Sequence, residues 1–120
     1  MVARVLIVDD ANFTRKRTAT VLSDLGYDVR EARGGAEAVR VYAEWRPDAV
    51  LLDINMPETD GLEALAEIRK LDQTARVAMI TAHGQPGNIE RARELGARDF
   101  VLKPVHPERL KSTVERLLAS

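Results

Sequence analysis

The sequence of 120 residues contains no cysteine, which excludes disulfide bonds, thiolate catalysis and cysteine-ligated zinc. It also lacks a long hydrophobic run: no apolar stretch exceeds four residues, whereas a membrane-spanning helix needs about 20. Neither sign of charge dominates, because 18 Lys and Arg face 19 Asp and Glu and give a net charge of −1. This balance argues against nucleic acid as the main partner. No signal-peptide pattern stands at the N-terminus, so we expect a cytoplasmic location and no membrane insertion.

The remaining composition is that of a folded globular domain, with 45% hydrophobic and 31% charged residues. A chain of this length buries roughly two-thirds of its unfolded surface and needs no disulfide or metal to fold. No internal repeat, low-complexity stretch or linker interrupts it. We therefore expect a single domain over residues 1–120, with no effector domain after it.

Short apolar runs alternate with helical patterns along the chain. Continuous runs of this kind are typical of strands buried on both faces of a parallel sheet. The runs are VLIV at 5–8, a weaker alternating stretch at 27–32, AVLL at 49–52, VAMI at 77–80 and FVL at 100–102. Helices are predicted after the first strand up to Gly26, near 35–45, near 61–70, around Ile89 up to Gly96, and from Pro107 onwards. This order predicts a doubly wound α/β domain with five parallel strands and five helices.

Polar residues follow four of these runs directly, at the strand ends where open parallel sheets bind ligands. Asp9 and Asp10 follow the first strand, Asp53 the third, Thr81 the fourth and Lys103 the fifth. Because the carboxyl ends of parallel strands share one edge, we expect these side chains to crowd together. Close carboxylates raise one another's pKa unless a cation joins them. Oxygen ligands without Cys or His favour Mg²⁺, with Mn²⁺ as the alternative, and a nearby lysine suits a phosphoryl group.

Plainer interpretations compete for some of these residues. The Asp9–Asp10 pair could cap the helix that follows, although Asn12 is better placed for a cap. The basic run at 15–17 is typical of a solvated helix face, and Trp45 of a residue that packs at a helix end. Taken alone, a strand-end aspartate or lysine is often a turn residue or a solvated charge. Their convergence at several strand ends is what favours phosphoryl chemistry.

Four motifs resemble the response-regulator receiver domains of bacterial two-component signalling over the whole chain. They are VLIVDD at 5–10, DINMPETDG at 53–61, Thr81-Ala82 and GARDFVLKP at 96–104. The segments VDDANFTR at 8–15 and TAHGQ at 81–85 are most similar to chemotaxis-type, single-domain (CheY-like) receivers. The resemblance implies a flavodoxin-like sheet with strand order 2-1-3-4-5.

The resemblance also implies a phosphoacceptor and a metal site. Asp53 would accept a phosphoryl group from the phosphohistidine of a histidine kinase. Asp10 and Asp53 would coordinate Mg²⁺ directly, Asp9 would assist through water, and Asn55 would contribute its backbone carbonyl. The protein would be a signalling switch that promotes its own phosphorylation and dephosphorylation, and not a metabolic enzyme.

A conformational switch follows from the same resemblance. Thr81 would hydrogen-bond a phosphoryl oxygen, and Lys103 would pair with the phosphoryl charge. Phe100 would be the switch aromatic that turns inward when Thr81 moves towards the phosphate. The Lys103–Pro104 bond would be cis, as is usual in such domains. The output surface would be the fourth helix, fifth strand and fifth helix, and a flagellar motor switch protein is the suggested target.

Three features depart from relatives of this kind. Phe100 replaces the tyrosine that is common at the switch position, so no hydroxyl can bond a partner there. His83 lies two residues after Thr81, where chemotaxis regulators often carry an acidic residue. We expect His83 to change the lifetime of the phosphorylated state, which a comparison of its decay with that of His83→Glu would test. Lys111-Ser112 lacks the arginine of dimerising transcription-factor receivers, so we expect a monomer.

Three other functions fit parts of the pattern. A haloacid-dehalogenase-type phosphatase also uses an aspartate, Mg²⁺ and a lysine, but it needs a second aspartate as general acid, where this chain has Asn55. A flavodoxin-like electron carrier shares the fold class, yet Asp9 and Asp10 would repel the flavin phosphate. A phosphorylation-independent docking module is the third alternative, and metal-dependent phosphorylation of Asp53 separates it from a switch.

Overall fold

The computed structural model describes residues 2–56, 61–82 and 86–120 and shows a parallel sheet with helices on both faces. The strands are β1 (Arg4–Val8), β2 (Asp28–Ala32), β3 (Ala49–Asp53), β4 (Val77–Thr81) and β5 (Asp99–Leu102). The helices are α1 (Asn12–Asp24), α2 (Gly35–Trp45), α3 (Gly61–Leu71), α4 (Pro86–Glu94) and α5 (Pro107–Ala119). The strand order is β2-β1-β3-β4-β5, and every neighbouring pair is parallel. Both the predicted fold class and the predicted order are therefore confirmed.

The ends of the helices follow the local signals in the sequence. Gly26 and Gly96 have positive φ angles of 98° and 100°, which glycine adopts without steric cost just beyond α1 and α4. Pro107 opens α5, where its missing N–H would have no helical partner in any case. The proposed cap of α1 was wrong: Ala11 precedes the helix without a side-chain bond, and Asn12 lies inside the first turn.

Two apolar cores lie on opposite faces of the sheet because alternate residues of each strand point to opposite sides. On one face, strand residues such as Leu6, Leu52 and Met79 pack against α2, α3 and α4. On the other face, residues such as Ile7 and Leu51 pack against α1 and α5. The central strands are covered on both sides, which explains why their sequences are continuously apolar. None of the helices in the described ranges is long and apolar enough to cross a membrane.

The amino edge of the sheet, where the strands begin, is held by paired polar groups. The backbone N–H of Arg4 donates to Asp48 Oδ2 at 2.8 Å, and its guanidinium donates to the Trp45 carbonyl at 2.8 Å. Trp45 is buried at the end of α2, as expected, and the Arg30 guanidinium lies 4.9 Å from the centre of its ring. These contacts fasten α2 to the start of β1.

Asp72 is the centre of a second polar group at the amino edge. Its carboxylate accepts hydrogen bonds from Tyr42 Oη at 2.9 Å and from Thr74, through the backbone N–H at 2.9 Å and the hydroxyl at 2.6 Å. These hydrogen bonds hold the pKa of Asp72 below its usual range. Burial and, secondly, the hydrogen bond to Asp72 raise the pKa of Tyr42 far above its ordinary value. The group joins α2 to the turn after α3.

Candidate functional site

The carboxyl edge of the sheet brings together the strand-end residues that the sequence singled out. Asp53 and Thr81 are the last residues of β3 and β4, and each is only 2% exposed. Asp9 follows β1 and is buried, while Asp10 beside it is exposed. Lys103 follows β5, and its backbone N–H donates to the Thr81 carbonyl at 2.8 Å. The parallel register therefore places a carboxylate, a hydroxyl and an ammonium group at neighbouring strand ends.

Asp9, Asp10 and Asp53 form a compact acidic cluster. One carboxylate oxygen from each lies within 4.8 Å of the others. All three donors are hard oxygen atoms, and two of the three residues are buried. Such a set fits a divalent cation like Mg²⁺, which prefers a few carboxylates and keeps several waters. The cluster can therefore hold a metal, with Asp10 at the solvent side.

Lys103 is the cation that the structure places against this cluster. Its Nζ donates to Asp53 Oδ2 at 2.9 Å and lies 3.7 Å from Asp9 Oδ2. Burial raises the pKa of Asp53, since desolvation of the carboxylate outweighs the hydrogen bonds from Lys103 and from the Asn55 backbone. Burial alone would lower the pKa of Lys103, but the bond and charge of Asp53, with the charge of Asp9, raise it. Lys103 is therefore held in its charged form beside Asp53.

Asn55 contacts the site with more than its main chain. Its backbone N–H donates to Asp53 Oδ1 at 3.0 Å, and its side-chain Nδ2 donates to Thr81 Oγ1 at 3.2 Å. From the sequence, only the backbone carbonyl of Asn55 was expected at the site, and this side-chain contact was not. Asn55 therefore links the ends of β3 and β4.

Gly61 lets α3 begin against the backbone of Asp53. A Cβ atom at position 61 would lie 2.3 Å from the Asp53 carbonyl oxygen and 2.8 Å from the Ile54 Cα, so no side chain fits there. The backbone N–H of Gly61 donates to the Ile54 carbonyl at 3.2 Å. Gly61 thus allows the main chain of α3 to pack directly against the main chain of Asp53 and Ile54.

Arg15 was wrongly predicted to belong to a solvated helix face. Lys16 and Arg17 are exposed, but Arg15 is 2% exposed and lies behind the acidic cluster. Its Nη1 donates to the Asp9 carbonyl at 3.0 Å, and its Nε donates to Glu31 Oε1 at 2.9 Å. The basic run did not indicate that Arg15 is buried, because burial depends on the helix face on which a residue lies and not on local composition.

Phe100 lies half-buried on β5, against the core that packs under α4. The Arg93 guanidinium of α4 lies 5.6 Å from the centre of its ring, within the range of a cation–π interaction. From α5, Arg109 Nη2 donates to the Phe100 carbonyl at 3.2 Å. Phe100 therefore touches both helices of the predicted output surface. The Lys103–Pro104 bond beside it is cis, which confirms that expectation.

An apolar groove of about 370 Å³ runs from the acidic cluster along α1. Phe13, Val21, Val105 and Leu110 line it, and it opens onto Asp53 and Lys103. Phe13 is 81% exposed at its rim. His83 and the segment 57–60, which the motifs also include, lie outside the described residues.

Comparisons with known proteins agree on one family. The model of the response regulator receiver domain matches residues 5–115. The chemotaxis protein CheY of Listeria monocytogenes is 46% identical over 114 residues, which cover 94% of this chain and 96% of that protein. The structure of CheY4 from Vibrio cholerae superposes with a TM-score of 0.95 at 32% identity, over 98% of this chain and 100% of that one. A CheX-CheY-BeF3-Mg+2 complex from Borrelia burgdorferi matches with a TM-score of 0.92 at 34% identity, over 98% and 90% of the two chains.

Proposed function

Because the chain belongs to the family of response regulator receiver domains, we propose that Asp53 accepts a phosphoryl group and thereby switches a partner-binding surface. The observation that carries the proposal is the position of Asp53. It is buried at the end of β3, bonded through Oδ2 to Lys103, and adjacent to Asp9 and Asp10. The protein is a CheY-like signalling switch of the chemotaxis type.

The phosphoryl transfer uses residues of the carboxyl edge. A carboxylate oxygen of Asp53 attacks the phosphorus of a phosphohistidine, the P–N bond breaks, and its electron pair returns to the imidazole of the donor. Lys103 follows the charge from the Asp53 carboxylate to the phosphoryl oxygens. Water later attacks the same phosphorus and releases phosphate, which restores Asp53 and resets the switch.

Mg²⁺ is the cation that we propose for the acidic cluster, with Mn²⁺ as its substitute. Asp10 and Asp53 would bind it directly, Asp9 through water, and Asn55 through its backbone carbonyl. The metal would neutralise charge on the attacking and transferring oxygens. The related CheY from Borrelia burgdorferi, whose complex contains BeF3 and Mg²⁺, supports this choice. The all-oxygen donor set of the cluster supports it independently.

The output surface of the proposal consists of α4, β5 and α5. When Thr81 bonds the phosphoryl group, its contact with Asn55 must be exchanged, and Phe100 moves into the space beside Thr81. Arg93 and Arg109 then lose or change their contacts with Phe100, so the surface of both helices is altered. A coupling of about 1–3 kcal/mol is enough to change a partner's affinity 5- to 150-fold.

The partners follow from this chemistry. The phosphodonor is a histidine kinase, and the apolar groove beside the acidic cluster gives it a surface from which to approach Asp53. The downstream target binds the α4-β5-α5 surface, and a flagellar motor switch protein is our suggested target. We further propose that residues 1–120 form a single receiver domain that acts as a monomer in the cytoplasm.

Intact mass after incubation with acetyl phosphate tests the proposal. We expect the wild type to gain one phosphoryl group in the presence of Mg²⁺ and none when the metal is chelated. Asp53→Asn is the matched control, because it keeps the size of the side chain and removes the nucleophile. A gain that persists in Asp53→Asn would move the acceptor elsewhere. No gain under any condition would leave a phosphorylation-independent docking module, and turnover of small phosphate esters would indicate a phosphatase.

A further inference from the structure

Arg15 is a buried arginine that the phosphorylation chemistry does not use. Arginine is rarely buried, because the removal of its charge from water costs several kcal/mol unless partners compensate. Lys16 and Arg17 beside it are exposed, so the burial is specific to this position on α1. Because burial of Arg15 costs free energy and Arg15 contacts Asp9 of the acidic cluster, helix packing alone does not explain its position.

Three nitrogens of the Arg15 guanidinium bond three different segments. Nε donates to Glu31 Oε1 on β2 at 2.9 Å, Nη1 to the Asp9 carbonyl at 3.0 Å, and Nη2 to Asn12 Oδ1 at 2.7 Å. The fork of a guanidinium is planar and rigid, so it fixes these partners relative to one another. Arg15 therefore ties the end of β1 to β2 and to the first turn of α1.

Each polar group of Asp9 has a partner, and Arg15 is one of them. Its backbone N–H donates to the Ala32 carbonyl at 3.1 Å, and its carbonyl accepts the bond from Arg15. Its Oδ1 accepts the Ala11 N–H at 2.9 Å, while its Oδ2 faces Lys103. Asp10 follows directly, so the direction of its carboxylate depends on the same turn.

We propose that Arg15 is a positioning residue that holds the turn between β1 and α1 so that Asp9 and Asp10 face Asp53 at metal-binding distance. The inference rests on the proposed metal-dependent function of this site. Glu31 compensates the charge of Arg15, so that the guanidinium can be buried there without a solvent partner. Residues that orient metal ligands from behind typically contribute about 10- to 100-fold to metal affinity.

Direct titration with Mn²⁺ tests the assignment without any phosphorylation. Free Mn²⁺ is counted from its electron paramagnetic resonance signal, and the urea midpoint of each variant is measured in parallel. We expect Arg15→Met to raise the Mn²⁺ dissociation constant by about tenfold or more. Lys16→Met is the matched control, because Lys16 also faces Glu31, at 3.8 Å, but does not touch Asp9. We expect its affinity to equal that of the wild type.

The double variant Arg15→Met/Glu31→Met separates positioning from fold stability. Arg15→Met alone leaves Glu31 without its closest cation and lowers stability, whereas the double variant removes both charges and regains much of that stability. If Arg15 positions Asp9, metal affinity stays weak in the double variant although the urea midpoint recovers. If affinity recovers together with stability, Arg15 only supports the fold and the assignment is overturned. Arg15→Lys, which keeps the charge but not the fork, replaces Arg15→Met if that variant does not fold, and it too is expected to bind Mn²⁺ more weakly.

The outcomes also distinguish this inference from the function on which it rests. A wild type that binds no Mn²⁺ overturns the metal site itself and the role of Arg15 with it. A wild type that binds Mn²⁺ with the same affinity as Arg15→Met overturns only the role of Arg15. In that case the acidic cluster would be held in place by the strand ends alone.

Discussion

The two edges of the sheet use charged residues in opposite ways. At the amino edge, Asp72 is surrounded by hydrogen-bond donors that favour its ionised form, and its pKa is lowered. At the carboxyl edge, Asp53 shares Lys103 with Asp9, and its pKa is raised although it is bonded to a lysine. Ionisation of Asp72 is therefore favoured by the fold at the edge where the strands begin, whereas ionisation of Asp53 is disfavoured at the edge where they end.

The difference shows where the fold gives up stability for chemistry. The amino edge satisfies its polar groups with partners inside the chain, which is what a stable fold requires. The carboxyl edge concentrates carboxylates beyond what one lysine can balance. An excess of negative charge in a buried site is unfavourable unless a cation occupies it, so function and stability oppose each other there. Four predictions test this contrast, and they begin with the largest effect.

Lys103→Met should slow phosphoryl acceptance from acetyl phosphate by about 100-fold, because it removes the cation that stabilises the transferring charge. Arg98→Met is the control, because it removes a cation from the opposite, amino edge of the sheet. There Arg98 Nη1 donates to the Ser120 hydroxyl at 2.7 Å. Initial rates of phosphorylation at equal Mg²⁺ provide the measurement. If both variants react at the same rate, the carboxyl edge has no special role.

Thr81→Ala should accept a phosphoryl group but fail to transmit it. The hydroxyl that contacts Asn55 and would bond the phosphate is lost, so Phe100 keeps the conformation of the unphosphorylated state. The lost coupling corresponds to about 5- to 150-fold in the population of the switched state. Backbone amide shifts of residues 99–102, with and without beryllofluoride, measure it. Thr20→Ala, on the exposed face of α1, should switch like the wild type, and full switching in Thr81→Ala would refute the mechanism.

Neutralising one aspartate at each edge should change stability in opposite directions. Asp72→Asn loses charge-assisted bonds to Tyr42 and Thr74 and should lower the free energy of unfolding by about 1 kcal/mol. Asp53→Asn removes a carboxylate whose ionisation the fold disfavours, so it should raise the urea midpoint in the absence of metal. Equilibrium urea denaturation at pH 7 compares the two variants. A shift of the same sign in both would remove the contrast between the edges.

The stability differences between each variant and the wild type should both become smaller in acid, although folding shifts the pKa values of the two aspartates in opposite directions. Because the pKa of Asp72 is lowered by folding, its stabilising contribution is complete above the ordinary value near 4 and is lost as the pH falls through the lowered pKa. The disadvantage of Asp72→Asn should therefore shrink in acid. Because the pKa of Asp53 is raised, its penalty is complete above that raised pKa and disappears as the pH falls towards 4, so the advantage of Asp53→Asn should shrink as well. Urea midpoints at pH 7 and pH 4 test the direction for Asp53, and midpoints at pH 7 and about pH 2.5, below the ordinary aspartate value, test the direction for Asp72. An unchanged difference in either comparison would contradict the corresponding pKa direction.

Most of the fold was predictable because its signals are local and consistent. Continuous apolar runs indicated the central strands. Gly26 and Gly96 indicated the ends of α1 and α4, because glycine adopts a positive φ without steric cost, and Pro107 indicated the start of α5, where no backbone N–H is needed. The cap of α1 was the exception. Asn12 is a residue type that often caps helices, but its side chain accepts a hydrogen bond from Arg15 instead. That contact depends on the burial of Arg15, which the local sequence does not indicate.

The candidate site was predictable to the extent that it follows from topology. Parallel strands bring their ends to one edge, so Asp9, Asp53 and Lys103 could be grouped from their order alone. The contacts between residues distant in sequence could not. The bond from the Asn55 side chain to Thr81 and the burial of Arg15 between Asp9 and Glu31 depend on helix orientation and rotamers, which no local pattern specifies.

The position of Trp45 determines what the chain's own fluorescence can report. The sequence contains one tryptophan, and it lies at the amino edge, where the guanidinium groups of Arg4 and Arg30 both approach its ring. The length of β3 separates this edge from Asp53, a distance of about 13 Å at 3.3 Å per residue. Its emission should therefore follow unfolding, when the arginines leave the indole, and stay nearly constant when metal or phosphate arrives. Intrinsic fluorescence thus provides a clean denaturation signal in this protein, whereas an optical assay of its activation requires a second tryptophan near the carboxyl edge.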